Sequence, residues 1–369
     1  MTQQYVPLVD LSHQQLQVAD AIREGFNRVI AESSFIMGPQ VTEFEEAWAK
    51  YCGVNCAVGV GNGTDSIELA LRAAGVGPGD EVIVPTNTFV ATAGAVLRAG
   101  AELVLADCDE DFLLGPEEVA GRITARTKAV IAVHLFGQAA PMELIARVLP
   151  PGVTLVEDMA QAQGATRLGV RAGGLGDVAA TSFYPGKNLG AYGDAGAVMT
   201  NSTEIADRLR KLRNHGGNAR YEHLDIGFNS RLDTLQAVVL NAKLALLDEW
   251  NQQRVNAAAL YGELLSDLDE VVLPRTLPGN GHVFHLYVIR VPDRDRLLLA
   301  LNERGIGAGI HYPNPVHLLP AYASLAYRKG AFPTAEALSG EILSLPLYPG
   351  ITAVQQEQAA GALRSALRG

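Results

Sequence analysis

One lysine in a glycine-rich turn is well suited to covalent chemistry. Lys187 lies in the segment Thr181-Ser-Phe-Tyr-Pro-Gly-Lys-Asn-Leu-Gly-Ala-Tyr-Gly-Asp-Ala-Gly196, between two apolar runs. A lysine held in a partly desolvated pocket loses its proton more easily, and its neutral amine can form a Schiff base with a carbonyl compound. Asn188 stands where a phosphate-binding P-loop requires serine or threonine, so this turn is not such a loop. The turn therefore predicts a nucleophilic lysine.

An acidic residue at the end of a predicted strand is the second candidate. Asp158 follows the apolar start of Val156-Glu-Asp-Met-Ala-Gln161, at the carboxyl end of a strand, where ligand sites of α/β proteins lie. A carboxylate there stabilises the charged form of a protonated ring nitrogen. Capping of a following helix is the alternative role for the same aspartate.

A glycine-rich segment leads from a predicted strand into a predicted helix. In Gly59-Val-Gly-Asn-Gly-Thr-Asp-Ser66, the free N–H groups and the dipole of the helix would attract a phosphate. Thr64 stands at the third glycine position of the dinucleotide-binding fingerprint, which disfavours a nicotinamide dehydrogenase. A plain glycine turn is the alternative.

These features in combination indicate one cofactor. A phosphate cradle, a strand-end carboxylate and a Schiff-base lysine are the groups that pyridoxal phosphate requires. A further loop, Gly227-Phe-Asn-Ser-Arg-Leu-Asp233, places an asparagine and an arginine where they could reach a ligand, although Ser230 or Asp233 could instead cap the next helix.

The chain resembles the DegT/DnrJ/EryC1/StrS family of sugar aminotransferases, which have the fold of aspartate aminotransferase (fold type I). The similarity runs from Phe35-Ile-Met-Gly-Pro39 to the Pro-Leu-Tyr-Pro run at 346–349. The motifs that carry it are Gly63-Thr-Asp65, Thr88-Phe-Val-Ala-Thr92, Glu157-Asp-x-x-Gln161, Ser182-Phe-x-x-x-Lys187 and Asn229-Ser-Arg-Leu-Asp233. The resemblance implies an α/β large domain with a mostly parallel sheet, followed by a smaller C-terminal α+β domain.

The resemblance also implies a role for each matched residue. Lys187 would bind the aldehyde of pyridoxal phosphate and then act as general base, and Asp158 would pair with the pyridine nitrogen. Gln161 would hydrogen-bond the phenolic oxygen, and Phe89 would stack on the ring. The phosphate would be held by Gly63, by the backbone amides of Thr64 and Asp65, by the Ser182 hydroxyl and, from a neighbouring subunit, by Asn229. The active unit would therefore be a homodimer with shared active sites.

Retention of Lys187 favours transamination, because dehydratase relatives in the family carry histidine at this position. The segment Tyr184-Pro-Gly-Lys-Asn-Leu-Gly-Ala-Tyr-Gly-Asp194 and the run Asn218-Ala-Arg-Tyr-Glu-His223 resemble the branch that aminates 3-keto nucleotide sugars. The resemblance implies conversion of a dTDP-3-keto-6-deoxyhexose to its 3-amino sugar, with L-glutamate as the amino donor. A 4-keto-sugar or keto-cyclitol aminotransferase is the alternative within the family.

Four side chains are candidates for contacts with the sugar or the nucleotide: Tyr184, His311, Tyr312 and His317. His317 is the first of these to test, with a structural histidine as the alternative. His285, within the predicted strand Phe284–Arg290, is expected to be structural.

Two other classes of protein are less consistent with the sequence. A non-catalytic relative that binds nucleotide sugars or acts as a regulator would not need the intact lysine, aspartate and serine. An amino-acid desulfurase of the same fold needs a reactive loop cysteine, and Cys52, Cys56 and Cys108 are poorly placed for that role.

The elements that must position these residues alternate along the first half of the chain. The pattern predicts buried strands in a parallel sheet, with helices between them. The apolar runs are 56–60, 81–85, 102–107, 129–134, 154–158 and 195–200. A helix is predicted over Thr64–Gly75, capped by Asp65 with Glu68, and a long helical run over Asp233–Ser266.

The pattern changes after about Leu268. Strands are predicted over 271–274, 284–290 and 306–312, and helices over 294–304 and 352–367. We therefore expect a large cofactor-binding domain over residues 1–248 and a small C-terminal domain over 249–369.

Composition limits the remaining possibilities. The 369 residues are 48% hydrophobic and 19% charged, which disfavours disorder, and the net charge of −11 disfavours nucleic-acid binding. The uncharged run 82–97 is too short and too polar to span a membrane, and the N-terminus does not resemble a signal peptide. Three cysteines without a C-x-x-C pair favour a reducing compartment and no metal site. We expect a cytoplasmic protein.

Overall fold

A computed structural model describes residues 5–217 and 221–368 of the chain. The strands of these residues, in chain order, are β1 (Cys56–Val60), β2 (Glu81–Pro85), β3 (Glu102–Ala106), β4 (Thr127–Val133), β5 (Thr154–Asp158), β6 (Thr166–Arg167), β7 (Val170–Arg171), β8 (Val178–Ser182), β9 (Gly196–Thr200), β10 (Asn280–Gly281), β11 (Tyr287–Arg290) and β12 (Ile342–Leu345). The helices are α1 (Ser12–Glu32), α2 (Pro39–Cys52), α3 (Gly63–Ala73), α4 (Val90–Ala99), α5 (Pro116–Ala120), α6 (Met142–Val148), α7 (Thr203–Leu212), α8 (Thr234–Leu244), α9 (Leu247–Leu265), α10 (Arg294–Glu303), α11 (Pro333–Glu341) and α12 (Ala353–Arg368).

The large sheet has seven strands in the order β1-β9-β8-β5-β4-β2-β3. Strand β9 is antiparallel to both of its neighbours, and the remaining pairs are parallel. Ile83 and Val130 pack in one hydrophobic cluster and Val82 and Ile131 in another, so both faces of the sheet are covered. This burial explains the continuous apolar runs in the sequence. The α/β prediction with a mostly parallel sheet is confirmed.

The sheet brings two chemically important strand ends together. Strands β5 and β8 are parallel neighbours, with Asp158 paired in register to Ala180. Asp158 ends β5 and Ser182 ends β8, so both residues lie at the carboxyl edge of the sheet. Helix α3, which contacts β8 and β9, begins at the same edge.

Helix α3 is capped differently from the prediction. Its N-cap is Asn62, whose side-chain oxygen accepts a hydrogen bond from the amide of Asp65 at 2.8 Å. Asp65 therefore receives the cap instead of providing it. The helix ends at Ala73, close to the predicted end at Gly75.

The long helical run predicted over Asp233–Ser266 is two helices. The chain turns between α8 and α9, around Ala245 and Leu246. Helix α8 packs on α1 and α2, whereas α9 packs on α12, and the turn lets each helix bury its own apolar face. Periodicity alone did not show this break, because residues on both sides of the turn are good helix formers.

The C-terminal part is built on a two-stranded antiparallel sheet of β11 and β12. Helices α9, α10 and α12 share one hydrophobic cluster with these strands. The strands predicted over 271–274 and 306–312 are reduced to isolated bridges, at Val272, Ile306 and Gly309. Val6 joins this cluster and bridges to Ile306, so the beginning of the described chain packs with its end.

The predicted boundary between residues 248 and 249 falls in the first turn of α9. The division of the chain into two domains there stays a prediction. Among the described residues, no helix combines the length and apolar character needed to cross a membrane.

Candidate active site

A cavity of about 610 Å³ opens at the carboxyl edge of the large sheet. It is lined by residues of β5, by the turn that follows β8, by the start of α3 and by the C-terminal part of the chain. A volume of this size is typical of a site for a cofactor or a drug-sized ligand. The cavity contains most of the residues that the sequence singled out.

Lys187 lies in this cavity, in the turn between β8 and β9. Its backbone amide donates to the carbonyl of Tyr184 at 2.8 Å, which closes the turn. Gln163 holds the same segment, because its Nε2 donates to the carbonyl of Ser182 at 2.8 Å and its Oε1 accepts from the amide of Leu189 at 2.8 Å. Burial lowers the pKa of Lys187 to about 8, against an opposing effect of the nearby Asp158 carboxylate. Lys187 is thus a lysine whose neutral amine is accessible near neutral pH.

Asp158 is 5% exposed and lines the same cavity. Its Oδ2 accepts a hydrogen bond from the hydroxyl of Thr92 at 2.7 Å, and its Oδ1 accepts one from the amide of Ala160 at 3.1 Å. Thr88 lies 2.8 Å from Thr92, hydroxyl to hydroxyl. Since Thr92 donates its proton to Asp158, Thr88 donates to Thr92, and the chain of bonds orients the carboxylate.

The start of α3 and the end of β8 form a close-packed corner of the cavity. Gly63, Thr64 and Ser182 line it together with Asn62. A Cβ atom added to Gly63 would lie 2.4 Å from the Cβ of Ser182, so only glycine permits this approach. A helix N-terminus and a hydroxyl at one corner form a site for an anion.

Asp65 does not face this corner. Its amide is bound to the Asn62 cap, and its carboxylate accepts a hydrogen bond from Ser230 at 2.8 Å and pairs with Arg98 at 3.0 Å. The expected phosphate contact through the Asp65 amide has no support here, because that N–H is already used. Asp65 instead joins α3 to the loop before α8.

Gln161, Phe89 and Tyr312 meet on one side of the cavity. The Gln161 Oε1 accepts from the amide of Phe136 at 2.7 Å, and its Nε2 donates to the Tyr312 hydroxyl at 3.1 Å. The rings of Phe89 and Tyr312 lie 5.2 Å apart, centroid to centroid. The predicted roles of Gln161 and Phe89 toward the cofactor ring stay predictions, and both residues line the cavity.

Three of the four predicted substrate residues line the cavity: Tyr184, His311 and Tyr312. The fourth, His317, is buried outside it. One ring nitrogen of His317 lies 2.9 Å from the Thr86 hydroxyl, and the other lies 3.0 Å from the Glu336 carboxylate. Both ring nitrogens are occupied within the protein, so the structure supports the alternative of a structural histidine.

Asn229 lies outside the cavity of its own chain. It is exposed and bridges to Asn214 through the backbone. Arg231 donates to the Asn214 side chain at 3.1 Å, and Ser230 holds Asp65, so neither provides a ligand contact here. Of the run 218–223, residues 218–220 lie outside the described part of the chain.

Asn62, Thr92 and His285 are among the residues of the site that sequence reasoning missed. Thr92 belongs to a motif that the sequence singled out, and its place one turn after Thr88 on a predicted helix was the available signal. The asparagine before Gly63 was a signal for a helix cap. His285 was expected to be structural, yet it lines the same cavity as Lys187.

The residues present fit pyridoxal phosphate. Gly63, Thr64 and Ser182 would hold the phosphate, Asp158 would pair with the ring nitrogen and Lys187 would bind the aldehyde. Two structural observations support this fit. A Cβ at Gly63 would fill the corner, and the buried Asp158 carboxylate has an oriented oxygen. Within the described residues, no group of three or more His, Cys, Asp or Glu side chains could hold a metal ion.

Comparison with known proteins extends over nearly the whole chain. The model of the DegT/DnrJ/EryC1/StrS aminotransferase family matches residues 17–364. A pleiotropic regulatory protein of Geobacillus stearothermophilus is 46% identical, over 95% of this chain and 96% of its own length. A dTDP-3-amino-3,4,6-trideoxy-alpha-D-glucose transaminase of Streptomyces venezuelae is 44% identical, over 97% of this chain and 95% of its own length. A crystal structure of S. venezuelae DesV in complex with a ketimine intermediate superimposes with a TM-score of 0.95 at 44% identity, and the match covers 98% of each chain.

Proposed function

Because the chain belongs to the DegT/DnrJ/EryC1/StrS aminotransferase family, it is a pyridoxal-phosphate-dependent transaminase, and we propose that it aminates a nucleotide-linked keto sugar. The proposed substrate is a dTDP-3-keto-6-deoxyhexose, the product is its 3-amino sugar, and L-glutamate is the amino donor. The observation that carries the proposal is the juxtaposition of Lys187 and Asp158 in one cavity. The S. venezuelae transaminase, which is named for a dTDP-3-amino sugar, supports the choice of sugar.

Pyridoxal phosphate, when bound, supplies an electron sink for the charge left when a proton leaves the carbon that bears the amine. Asp158 favours the protonated form of the ring nitrogen, because a buried carboxylate stabilises a neighbouring cation. Lys187, with a pKa of about 8, can take up a proton at Nζ and give it back near neutral pH. The chain therefore provides both the charge partner and the proton carrier.

The outer part of the cavity supports a sugar substrate. Tyr184 is mostly exposed, and it lies with His311 and Tyr312 along the lining. Hydroxyl and imidazole groups are suitable partners for sugar hydroxyls, and aromatic faces suit the apolar face of a sugar ring. Leu8 and Val9, from the start of the described chain, add an apolar wall.

A regulatory role is the second candidate, because the Geobacillus relative is named as a regulatory protein. A protein that only bound a nucleotide sugar would not need a lysine of lowered pKa facing a buried carboxylate. Both groups are present and oriented, which favours the enzyme.

We also propose that two copies of the chain share their active sites. Asn229 could complete the phosphate site only from a partner subunit, since it lies outside its own cavity. The segment just before it exposes Leu224 and Ile226, the latter at 97%. Exposed apolar side chains of this kind suit a covered interface. Mixing Lys187→Ala with Asn229→Ala chains should restore activity in hybrid dimers, and no restoration would contradict shared sites.

We infer a cytoplasmic location as well. Cys52, Cys56 and Cys108 are free thiols. Free thiols persist in a reducing compartment. Fractionation of the native host, with the protein detected by antibody, tests this inference.

The substrate is tested with the glutamate-treated protein. The cofactor absorbance should be restored by a dTDP-3-keto-6-deoxyhexose and much less by dTDP-4-keto or UDP-linked sugars. Preferential restoration by a 4-keto sugar would replace the proposed substrate while leaving the transaminase assignment intact. Restoration by no keto sugar would contradict the substrate class.

A further inference from the structure

His285 is a polar residue of the cavity that the roles above do not use. It lies just before β11 and lines the cavity that holds Lys187. The sequence led us to expect a structural histidine within a strand. Its hydrogen bonds determine which of its ring nitrogens carries the proton.

The protonation of its ring follows from a chain of amide groups. Asn251 Nδ2 donates to the backbone carbonyl of Gln163 at 2.8 Å, and a carbonyl can only accept. The Asn251 oxygen must therefore be the atom that accepts from Asn188 Nδ2, at 2.8 Å. Asn188 Nδ2 also donates to the carbonyl of Val283 at 3.3 Å. The remaining Asn188 oxygen then accepts from His285 Nδ1, at 3.0 Å.

His285 Nδ1 thus carries the proton, and in the neutral ring Nε2 carries a free lone pair. No hydrogen bond from a described residue reaches Nε2, and the ring lines the cavity. His311 provides a contrast, because its Nδ1 faces the Ser344 hydroxyl at 2.8 Å, and a hydroxyl can donate or accept. The network therefore selects one tautomer at His285 and not at His311.

The charged surroundings keep the ring neutral. Burial lowers the pKa of His285 well below its usual value, and the positive charges of Lys187 and Arg254 and the neighbouring His311 act in the same direction. Arg254 also fixes the backbone on both sides, since its Nη1 donates to the carbonyls of Phe284 and His285 at 3.3 and 3.2 Å. Asp158 is the carboxylate whose negative charge raises the pKa of Lys187, against the effect of burial.

The same network reaches the reacting lysine through the chain. Asn188 directly follows Lys187, and its side chain is held by three partners. Gln163 holds the residues on both sides of the turn. The backbone that carries Lys187 is therefore held in place on both sides, and the acceptor atom Nε2 of His285 belongs to a ring that lines the same cavity.

We propose that His285 is a positioning residue of the reaction: its Nε2, which has no partner among the described residues in this structure, accepts a hydrogen bond from the amine of Lys187 when the lysine side chain turns toward it. This inference rests on the proposed function of Lys187 as the residue that binds the cofactor. This hydrogen bond would hold one N–H of the Lys187 amine away from the cofactor. The lone pair of the amine nitrogen would then point toward the cofactor. It also stabilises the protonated amine more than the neutral amine.

The test uses the cofactor-free protein and measures how fast Lys187 captures pyridoxal phosphate at each pH. Only the neutral amine attacks an aldehyde, so the midpoint of this profile reports the pKa of Lys187. His285→Leu should lower the midpoint by about one pH unit, as expected for one lost bond to a charged group. His285→Gln, which can present an oxygen near the position of Nε2, should return the midpoint toward that of the unsubstituted protein. An unchanged midpoint in His285→Leu, or equal effects of the two substitutions, would overturn the proposal.

A second measurement needs no substitution and covers the case in which a variant fails to fold. NMR of the protein with isotope-labelled histidine distinguishes a protonated from an unprotonated ring nitrogen. The proposal requires His285 to carry its proton on Nδ1 at neutral pH, and a proton on Nε2 would overturn it. If the unsubstituted protein captures no pyridoxal phosphate at any pH, the assignment of Lys187 fails instead, which is a different result.

Discussion

The close approach of Gly63 to Ser182 gives a sharp prediction for Gly63→Ala. The new Cβ would lie 2.4 Å from the Ser182 Cβ, whereas carbon atoms in contact are about 3.5–4.0 Å apart. The start of α3 and the end of β8 must therefore separate by more than about one ångström. Both are held in the fold, α3 by the Asn62 cap and β8 by its pairing with β5 and β9.

Overpacking of this kind costs about 1–3 kcal/mol. If the corner opens to relieve the contact, the phosphate loses its close fit, and the dissociation constant of pyridoxal phosphate rises by about 5- to 150-fold. If the corner does not open, the cost appears as a lower melting temperature of the cofactor-free protein. An absorbance titration with the cofactor and a thermal melt together measure both.

Gly77→Ala is the matched control. A Cβ at Gly77 meets nothing within 4 Å, and the hydrogen bond from the Gly77 amide to Asp80 survives the change. We expect this variant to bind the cofactor and to melt like the unsubstituted protein. Unchanged affinity and unchanged melting in Gly63→Ala, or an equal loss in Gly77→Ala, would refute the reasoning.

Three further predictions concern single residues. The rate at which the cofactor-free protein captures pyridoxal phosphate should be slow below pH 7, rise through about pH 8 and level off above it. The reason is that burial lowers the pKa of Lys187 to about 8. A midpoint of this rate profile near the usual pKa of lysine would contradict the effect of burial. Thr92→Val should weaken cofactor binding by roughly tenfold, because Asp158 loses a buried hydrogen bond, and a titration showing no change would contradict that role. His317→Phe should destabilise the fold by about 1–3 kcal/mol in denaturant unfolding, because the Glu336 carboxylate loses a partner, with cofactor affinity preserved; reduced affinity without loss of stability would restore His317 to the site.

Much of the large sheet could be predicted from the sequence because its strands are buried on both faces. Continuous apolar runs such as Ala129–Val133 indicate such strands directly. Strand β8 was missed, since Val-Ala-Ala-Thr-Ser is short and only weakly apolar. The C-terminal segments over 271–274 and 306–312 have strand composition but make only isolated bridges. Their conformation depends on tertiary partners, which local patterns do not contain.

The residues of the candidate site were also predictable only where the local sequence carries the signal. Asp158 was predicted from its place at a strand end, where ligand sites of α/β proteins lie, and Lys187 from its glycine-rich turn. The two were placed in one site because pyridoxal phosphate requires both groups. Asp65 and His317 have the right chemistry in the right motifs, but hydrogen bonds to Asn62, Thr86 and Glu336 occupy them. Those partners are distant in sequence or depend on side-chain rotamers, so spacing could not reveal them.

His285 shows the opposite case. Its place within an apolar run suggested a buried structural ring. Hydrogen bonds between Asn251 and Asn188 and between Asn188 and His285 orient the ring at the cavity, and they join residues that are far apart in the chain. A single sequence contains no signal for that network.

The central claim is that Lys187 and Asp158 hold pyridoxal phosphate for transamination. The most direct test is a visible absorbance spectrum of the protein with pyridoxal phosphate, before and after addition of L-glutamate. We predict a yellow band that is absent in Lys187→Ala and that glutamate bleaches in the unsubstituted protein. A band that persists in Lys187→Ala, or no band in the unsubstituted protein, would contradict the claim.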